Sequence, residues 1–355
     1  MTTMKGAAMA TLSEAYKEHP PIDPQHIIPL DFQAIRQVPT SHLWPHQTHD
    51  EEHAPSSPSS SSIVPVIDLL DPAAGDLIGR ACEAWGVFQV VNHGVPSSLL
   101  DKVVSEATRL FALPAPVKNR ALRTPEGATG YGVARISPFF AQLMWHEGFT
   151  IMGSPAAHAK LLWPDDYQHF CDVMEKYQEK VKALAHNLFQ LLLNYISPSS
   201  PAAAAAVEFD GALQLNSYPP CPSPAQTIGL APHTDTLFLT ILHQSSPGLQ
   251  LFDPAGLRWS AVDHVPGALT VNVGDLLHVL SNGKFRTARH RAVVMSDTTQ
   301  RVSMACFYGP PVESVVAPVV SPVDGAPAVY RSVGVKEFLN LKALHLDEAL
   351  DFIRL

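Results

Sequence analysis

Two histidines and one aspartate, in a fixed order along the chain, carry the clearest chemistry in this sequence. His233 and Asp235 lie two residues apart in His-Thr-Asp, and His290 follows much later. Two imidazoles and one carboxylate can cover one face of an Fe(II) ion and leave the opposite face open, which is the ligand arrangement of non-haem iron oxygenases. The pattern therefore predicts oxygen chemistry at an iron ion.

Arg301 and Ser303 form a second pair with two-residue spacing, in the strand-like run 301–308. Side chains two apart on a strand point to the same face. A planar guanidinium suits a carboxylate because it donates two parallel charge-assisted hydrogen bonds. An iron ion with three protein ligands has three coordination positions left, which is enough for a bidentate 2-oxo acid and dioxygen. Arg301 and Ser303 would then hold the far carboxylate of 2-oxoglutarate.

Strand signals surround the candidate ligands. The apolar, β-branched run 237–242 predicts a strand that begins beside His233 and Asp235, so both side chains should share a face. His290 opens a second strand-like run, 290–294. Because the two runs are far apart in sequence, a non-local fold must bring His290 back to the pair, and we expect it on a facing strand.

Three similar patterns do not fit the same chemistry. His345 and Asp347 repeat the His-x-Asp spacing, but apolar residues around them recur at helical intervals, which predicts a solvated helix face. Arg135 repeats the Arg-x-Ser spacing without upstream ligands, which favours a surface arginine over one in a pocket. Asp275 lies at a strand end before a new apolar run, which favours a structural cap over a metal ligand.

These motifs, together with residues 216–221 (NSYPPC) and 84–96 (AWGVFQVVNHGVP), resemble the plant 2-oxoglutarate and Fe(II)-dependent dioxygenases over about residues 63 to 311. The resemblance implies Fe(II), 2-oxoglutarate, dioxygen and ascorbate as cofactors and cosubstrates. It implies hydroxylation coupled to oxidative decarboxylation of 2-oxoglutarate to succinate and CO2. By position it implies the iron ligands His233, Asp235 and His290 and the 2-oxoglutarate contacts Arg301, Ser303, Tyr218 and, as a weaker candidate, Asn216.

The segment 131–154, and above all 144–150 (MWHEGFT), resembles the branch of this family that oxidises gibberellins at carbon 3. That resemblance implies 3β-hydroxylation of a gibberellin to the bioactive hormone. The residues alone show an apolar cluster that could line a pocket for a rigid diterpenoid or could be core packing: Phe139, Phe140, Met144, Trp145 and Phe149. Oxidation of another gibberellin carbon, oxidation of a flavonoid, and ligand binding without turnover remain alternatives.

Composition excludes several other classes of protein. The 355 residues are 46% hydrophobic and 16% charged, and the net charge of −9 argues against a nucleic-acid surface or a polybasic membrane anchor. No run approaches the roughly 18 to 20 apolar residues that span a bilayer. The four cysteines have no metal or redox spacing and suit reduced thiols. We expect a cytoplasmic monomer that acts on a small molecule.

The order of predicted elements indicates a mainly β protein with flanking helices. Short strands and regular turn signals follow the long amphipathic run 166–195, which favours a closed or two-sheeted β architecture packed on that helix. The family resemblance implies a double-stranded β-helix, or jelly roll. The predicted parts are a poorly ordered region 1–62, an α/β region 63–165, a platform helix and linker 166–208, the jelly-roll core 209–312 and a helical segment 313–355.

Overall fold

The computed structural model describes residues 11–44, 64–197, 210–253, 257–319 and 327–355. These residues form two facing β-sheets with helices packed on the outside. One sheet has eight strands and the other has four, and a short third sheet has two. The mainly β, double-stranded β-helix architecture expected from the sequence is confirmed.

The strands, numbered in chain order, are β1 Val66–Asp68, β2 Val87–Val91, β3 Gly130–Gly132, β4 Glu147–Ile151, β5 Asp210–Tyr218, β6 Ile228–His233, β7 Leu239–Gln244, β8 Leu249–Asp253, β9 Arg258–Ala261, β10 Leu269–Val273, β11 His290–Val293, β12 Arg301–Gly309, β13 Val315–Val316 and β14 Val333–Gly334. The α-helices are α1 Leu12–Ala15, α2 Ala74–Ala84, α3 Ser97–Phe111, α4 Ala115–Lys118, α5 Ala156–Leu162, α6 Tyr167–Ile196, α7 Asp275–Leu280 and α8 Val335–His345. The eight-stranded sheet has the order β1-β2-β10-β7-β12-β5-β4-β3, the four-stranded sheet has the order β6-β11-β8-β9, and the two-stranded sheet pairs β13 with β14. The predicted platform helix corresponds to α6.

Along the central strands, successive side chains point in turn to the helices on the outside and to the space between the two sheets. Leu213 and Leu215 of β5 and Met304 of β12 point outward and join one hydrophobic core with the apolar face of α6, including Phe170 and Tyr177. The residues between them point to the opposite side of the sheet, as the two-residue period of a strand requires. One face of the large sheet is therefore sealed by helices, and the other is left for a site.

The N-terminal region differs from the expectation of poor order over 1–62, which is wrong for residues 11–44. Thr11 and Glu14 form a capping box that starts α1, and Leu12 is 3% exposed. The backbone N–H of Val133 donates to the carbonyl oxygen of Ile27 at 2.9 Å. The sequence suggested disorder because its prolines, its His and acidic cluster and its Ser tract can bury little apolar surface, but residues 11–44 pack on the folded core. The remainder of 1–62 lies outside the described residues.

The predicted parts of the chain share one structure. Region 63–165 contributes β1 to β4 to the same eight-stranded sheet as the core strands β5, β7, β10 and β12. The four cysteines are buried and free. Among the helices of the described ranges, none has both the length and the apolar character needed to cross a lipid bilayer.

A buried ion pair fixes β4 to the helical side of the fold. Lys118 Nζ lies 2.5 Å from Glu147 Oε2, and the two side chains are 5% and 3% exposed. The Tyr131 hydroxyl donates to the same carboxylate. Burial raises the pKa of Glu147 against the opposing influence of Lys118.

Lys118→Met should lower the free energy of unfolding by about 3–5 kcal/mol, because it leaves an uncompensated buried carboxylate. The deficit should shrink as pH falls, since protonation of Glu147 removes the buried charge. The double variant Lys118→Met/Glu147→Gln should regain part of the loss. Urea unfolding measures each value, with Lys176→Met, which breaks the exposed ion pair to Glu179, as the control. If Lys118→Met and Lys176→Met lowered the free energy of unfolding equally, the buried ion pair would not have the stabilising role assigned to it.

Candidate metal centre

The three predicted metal ligands converge on one point. One side-chain ligand atom from each of His233, Asp235 and His290 lies within 4.8 Å of the other two. Asp235 Oδ1 is 3.7 Å from His233 Nε2 and 3.9 Å from His290 Nε2. Among the residues of the described ranges, these three side chains are the one group of potential metal ligands whose ligand atoms lie this close together. Its composition is the two-histidine, one-carboxylate set that suits Fe(II).

Strand pairing brings the distant histidine to the pair. β11 lies antiparallel beside β6, and His290 is the direct cross-strand partner of His233. His290 is thus on a neighbouring strand, so the expectation of a facing strand was wrong. Asp235 also differs from its prediction, because it follows the end of β6 and precedes β7 instead of opening a strand. The turn carries its carboxylate back towards the two imidazoles.

Backbone carbonyls orient both imidazoles. His233 Nδ1 lies 2.8 Å from the carbonyl oxygen of Ala231, and His290 Nδ1 lies 2.9 Å from that of Ala288. A carbonyl oxygen only accepts, so each Nδ1 carries the proton and each Nε2 presents a lone pair. Burial, followed by the neighbouring His290, lowers the pKa of His233 to about 4. This imidazole is therefore neutral at physiological pH, as metal coordination requires.

Asp235 is held in its ionised form. Burial alone would raise the pKa of its carboxyl, but His290, His233 and the hydrogen bond from Asn272 bring the pKa below its ordinary value. Asn272 Nδ2 donates to Asp235 Oδ2 at 3.2 Å, which leaves Oδ1 facing the histidines. The donor set thus offers two imidazole Nε2 atoms and one anionic oxygen.

A polar network from the C-terminal segment holds the turn between the first two ligands. Lys342 Nζ donates to Thr234 Oγ1 at 2.5 Å and to Asp275 Oδ2 at 2.6 Å. Thr234 donates its backbone N–H to Asp347 Oδ1 at 3.0 Å. Asp347 is therefore not part of a solvated helix face, and that interpretation was wrong. Asp275 is structural, since Thr287 and Lys342 occupy its carboxylate. It is not the predicted cap, because Gly274 is the N-cap of α7 and no side chain caps that helix.

The predicted cosubstrate residues form two adjacent cross-strand pairs between β12 and β5. Arg301 pairs with Tyr218, and Ser303 pairs with Asn216. Asn216 Nδ2 donates to Ser303 Oγ at 3.4 Å, and the Arg301 guanidinium carbon lies 4.7 Å from the centre of the Tyr218 ring. All four side chains line one cavity with the three metal-ligating residues.

Arg301 lines that cavity, is buried and keeps one unused donor. It is 5% exposed, its Nη2 donates to Gln244 Oε1 at 2.7 Å and its Nε donates to the carbonyl oxygen of Ser246 at 3.1 Å. Its Nη1 is buried without a hydrogen-bond partner. Gly248 permits this placement, because a Cβ there would lie 2.9 Å from Arg301 Nε. A buried guanidinium N–H without a hydrogen-bond partner favours the binding of an anion beside it.

The cavity between the two sheets measures about 540 Å³. That size is within the range of small-molecule sites. The N-terminal segment, helix α8 and residues 134–139 complete its walls, with Tyr16, Leu339 and Ile136 as examples. The site is thus closed partly by the segment that the sequence had suggested to be poorly ordered.

The apolar cluster predicted to contact the substrate divides between cavity and core. Phe139 lines the cavity. Phe149 is fully buried against Phe170 because it occupies the outward-facing position of β4, while Trp145 donates its indole N–H to the Pro219 carbonyl oxygen at 3.0 Å. Met144 packs with Ile228 and Ala231 in a small core cluster. The assignment of Met144, Trp145 and Phe149 to the cavity wall was wrong, and core packing explains them.

Arg135 also differs from its prediction as a surface residue. It lines the cavity, its guanidinium lies 4.9 Å from the centre of the Tyr16 ring, and its Nη1 donates to the carbonyl oxygen of Gly127. The chain around it is irregular, so the sequence offered no periodicity from which to predict its direction.

Comparison with known proteins agrees with this geometry. Residues 209–310 match the 2OG-Fe(II) oxygenase superfamily, and residues 64–169 match the family described as non-haem dioxygenase in morphine synthesis, N-terminal. Gibberellin 3-beta-dioxygenase 1 of Pisum sativum is 45% identical, with 98% of this chain and 94% of the relative covered. The chain belongs to the 2OG-Fe(II) oxygenase superfamily.

Other members of the superfamily support the assignment over most of the chain. Gibberellin 3-beta-dioxygenase 1 of Arabidopsis thaliana is 44% identical, with 97% of this chain and 98% of the relative covered. The crystal structure of JOX2 in complex with 2OG, Fe and JA has a TM-score of 0.70 at 26% identity, covering 87% of this chain and 92% of that one. The crystal structure of the dioxygenase for auxin oxidation in rice has a TM-score of 0.68 at 26% identity, covering 82% of this chain and 100% of that one.

Fe(II) and 2-oxoglutarate are the cofactor and cosubstrate of this superfamily, and the residues present fit both. The Nε2 atoms of His233 and His290 and the ionised Asp235 suit the metal, and the unpaired Nη1 of Arg301 suits a carboxylate. Sequence analysis missed Lys342, although a signal was present. Its spacing from Val335, Phe338 and Leu339 places it on the buried face of α8, where an unpaired lysine would be costly.

Lys342→Met should weaken Fe(II) binding roughly 10-fold or more, because partners that orient metal ligands contribute on that scale. Anaerobic calorimetric titration with Fe(II) measures the effect. Lys336→Met is the matched control, since Lys336 lies on the same helix but pairs with Glu18 at the surface. Wild-type affinity in Lys342→Met would show that the network does not position the ligands.

Proposed function

We propose that this protein is a 2-oxoglutarate-dependent dioxygenase that hydroxylates a gibberellin at carbon 3 in the β orientation. The observation that carries the reaction class is the single cavity that joins the ligands His233, Asp235 and His290 to Arg301 with its unpaired Nη1. The choice of substrate is supported by relatives over 40% identical across nearly the whole chain, which are named gibberellin 3-beta-dioxygenases.

In the proposed enzyme His233, Asp235 and His290 hold Fe(II). Arg301 and Ser303 hold the far carboxylate of 2-oxoglutarate, and Tyr218 and Asn216 assist from the adjacent strand. When bound, the iron and 2-oxoglutarate supply dioxygen activation: 2-oxoglutarate is oxidised to succinate and CO2, and one oxygen atom enters a C–H bond of the substrate. The protein excludes water and fixes which carbon faces the metal.

Ligand binding without turnover has less support. A protein that only stores a ligand has no need for two histidines with free Nε2 atoms and an ionised aspartate beside them. We further propose a cytoplasmic monomer, which is supported by the four free, buried cysteines and the acidic composition.

The direct experiment incubates the purified protein with Fe(II), 2-oxoglutarate, ascorbate and a panel of gibberellins and flavonoids, followed by mass spectrometry and succinate measurement. The expected result is one 3β-hydroxylated gibberellin product formed in step with succinate. Asp235→Ala should form neither. A product oxidised at another carbon, or a flavonoid product, would replace the proposed substrate while leaving the reaction class intact.

Arg301→Met should raise the KM for 2-oxoglutarate roughly 10- to 100-fold, because each hydrogen bond to a charged group contributes about 1.5–3 kcal/mol. The KM for the gibberellin should change much less. Arg331→Met, which removes an exposed arginine paired with Glu337, is the control. An unchanged requirement for 2-oxoglutarate in Arg301→Met would remove this arginine from the cosubstrate site.

A further inference from the structure

Three arginines besides Arg301 line the same cavity: Arg123, Arg135 and Arg291. Arg291 is already engaged, because its Nε donates to Gln250 Oε1 and its guanidinium lies over the Trp259 ring. Arg123 is 4% exposed, and its Nε and Nη2 atoms are buried without hydrogen-bond partners. Arg135 lines the wall beside it. Within the described ranges, neither guanidinium forms an ion pair or has a carboxylate as a significant electrostatic neighbour. A buried cation without a counter-charge is costly to the fold, so its presence calls for a reason.

The two cations also oppose each other. Burial, and after it the charge of Arg135, lowers the pKa of Arg123 to about 9. Burial likewise lowers the pKa of Arg135. Both groups stay charged at neutral pH, and an anion between or beside them would relieve both the desolvation and the repulsion.

Strand register separates this pair from the cosubstrate. The guanidinium of Arg123 lies against Gly132, where an added Cβ would be 3.7 Å from Arg123 Cζ. Across the large sheet Gly132 pairs with Gly148, Gly148 with Asn216, and Asn216 with Ser303. Three strand spacings separate the backbone of Gly132, against which Arg123 packs, from that of Ser303 by roughly 14 Å along the sheet. A 2-oxoglutarate molecule held between Arg301 and the metal has no carboxylate left to reach Arg123.

We propose that Arg123 and Arg135 form the subsite that binds the carboxylate of the prime substrate. The proposal rests on the proposed function, since a gibberellin is a rigid, apolar carboxylic acid. The apolar wall near the pair, which includes Ile136 and Phe139, suits its ring system. With the carboxylate fixed at one end of a rigid skeleton, the carbon presented to the metal is set by the distance between the two sites.

The first test compares a gibberellin free acid with its methyl ester as substrates for the complete enzyme. The wild type should prefer the acid. Arg123→Met should lower kcat/KM for the acid roughly 10- to 100-fold and leave the ester nearly unchanged, because only the acid loses a charged partner. The KM for 2-oxoglutarate should not move. Arg135→Met should reduce the preference in the same direction, and Arg331→Met should preserve it.

Thermal unfolding separates substrate recognition from a structural role. Because Arg123→Met removes an unpaired buried charge, it should unfold at the wild-type temperature or above it. An acid preference that persists in both Arg123→Met and Arg135→Met would overturn the proposal. So would a loss of activity that follows from a lower unfolding temperature and affects acid and ester equally.

A binding experiment keeps this inference independent of the assigned reaction. With Mn(II) and saturating 2-oxoglutarate present, the wild type should bind 1-adamantanecarboxylate more tightly than the uncharged 1-adamantanemethanol. Arg123→Met should lose that difference. If no gibberellin is oxidised but the carboxylate preference is present and depends on Arg123, the proposed substrate fails and the subsite stands. If the wild type binds both probes equally, the subsite is wrong whatever the enzyme oxidises.

Discussion

The direct pairing of His233 with His290 across β6 and β11 is the constraint on which the site depends. It places two imidazoles with ring centres 4.4 Å apart, although the residues are distant in sequence. The turn after His233 brings the Asp235 carboxylate to the same point. A network of Lys342, Asp275 and Asp347 holds that turn through Thr234. The C-terminal segment is therefore part of the metal centre's support, even though it supplies no ligand.

Charge placement explains how an acidic protein can bind acidic small molecules. The net charge of −9 would repel anions at long range. Inside the cavity, however, Arg301 and Arg123 are buried, Arg135 is half-buried, and all three are free of carboxylate partners among the described residues. Arg301 stands on β12 near the metal, and the other two stand beyond the far edge of the same sheet. One cavity thus offers two cationic positions, suited to a cosubstrate and a prime substrate that are both carboxylic acids.

The sequence predicted those features that depend on local periodicity and on motifs. Residue type and two-residue spacing were enough to select His233, Asp235, His290, Arg301 and Ser303, which line one cavity. The apolar period was enough to predict α6. Failures occurred where tertiary packing decides direction. Trp145 and Phe149 have the composition of a pocket wall, but strand alternation turns Phe149 into the core. Arg123 and Arg135 lie in irregular chain whose direction no period predicts, and residues 11–44 gain order only against the completed fold.

A crystal structure with Mn(II) and 2-oxoglutarate tests the central claim most directly. The account predicts one metal ion bound by His233 Nε2, His290 Nε2 and an oxygen of Asp235, with open positions facing the cavity. It also predicts the far carboxylate of 2-oxoglutarate at Arg301 Nη1, and no part of that molecule at Arg123. A metal held by other side chains, or 2-oxoglutarate bound at the Arg123 end of the cavity, would contradict the account.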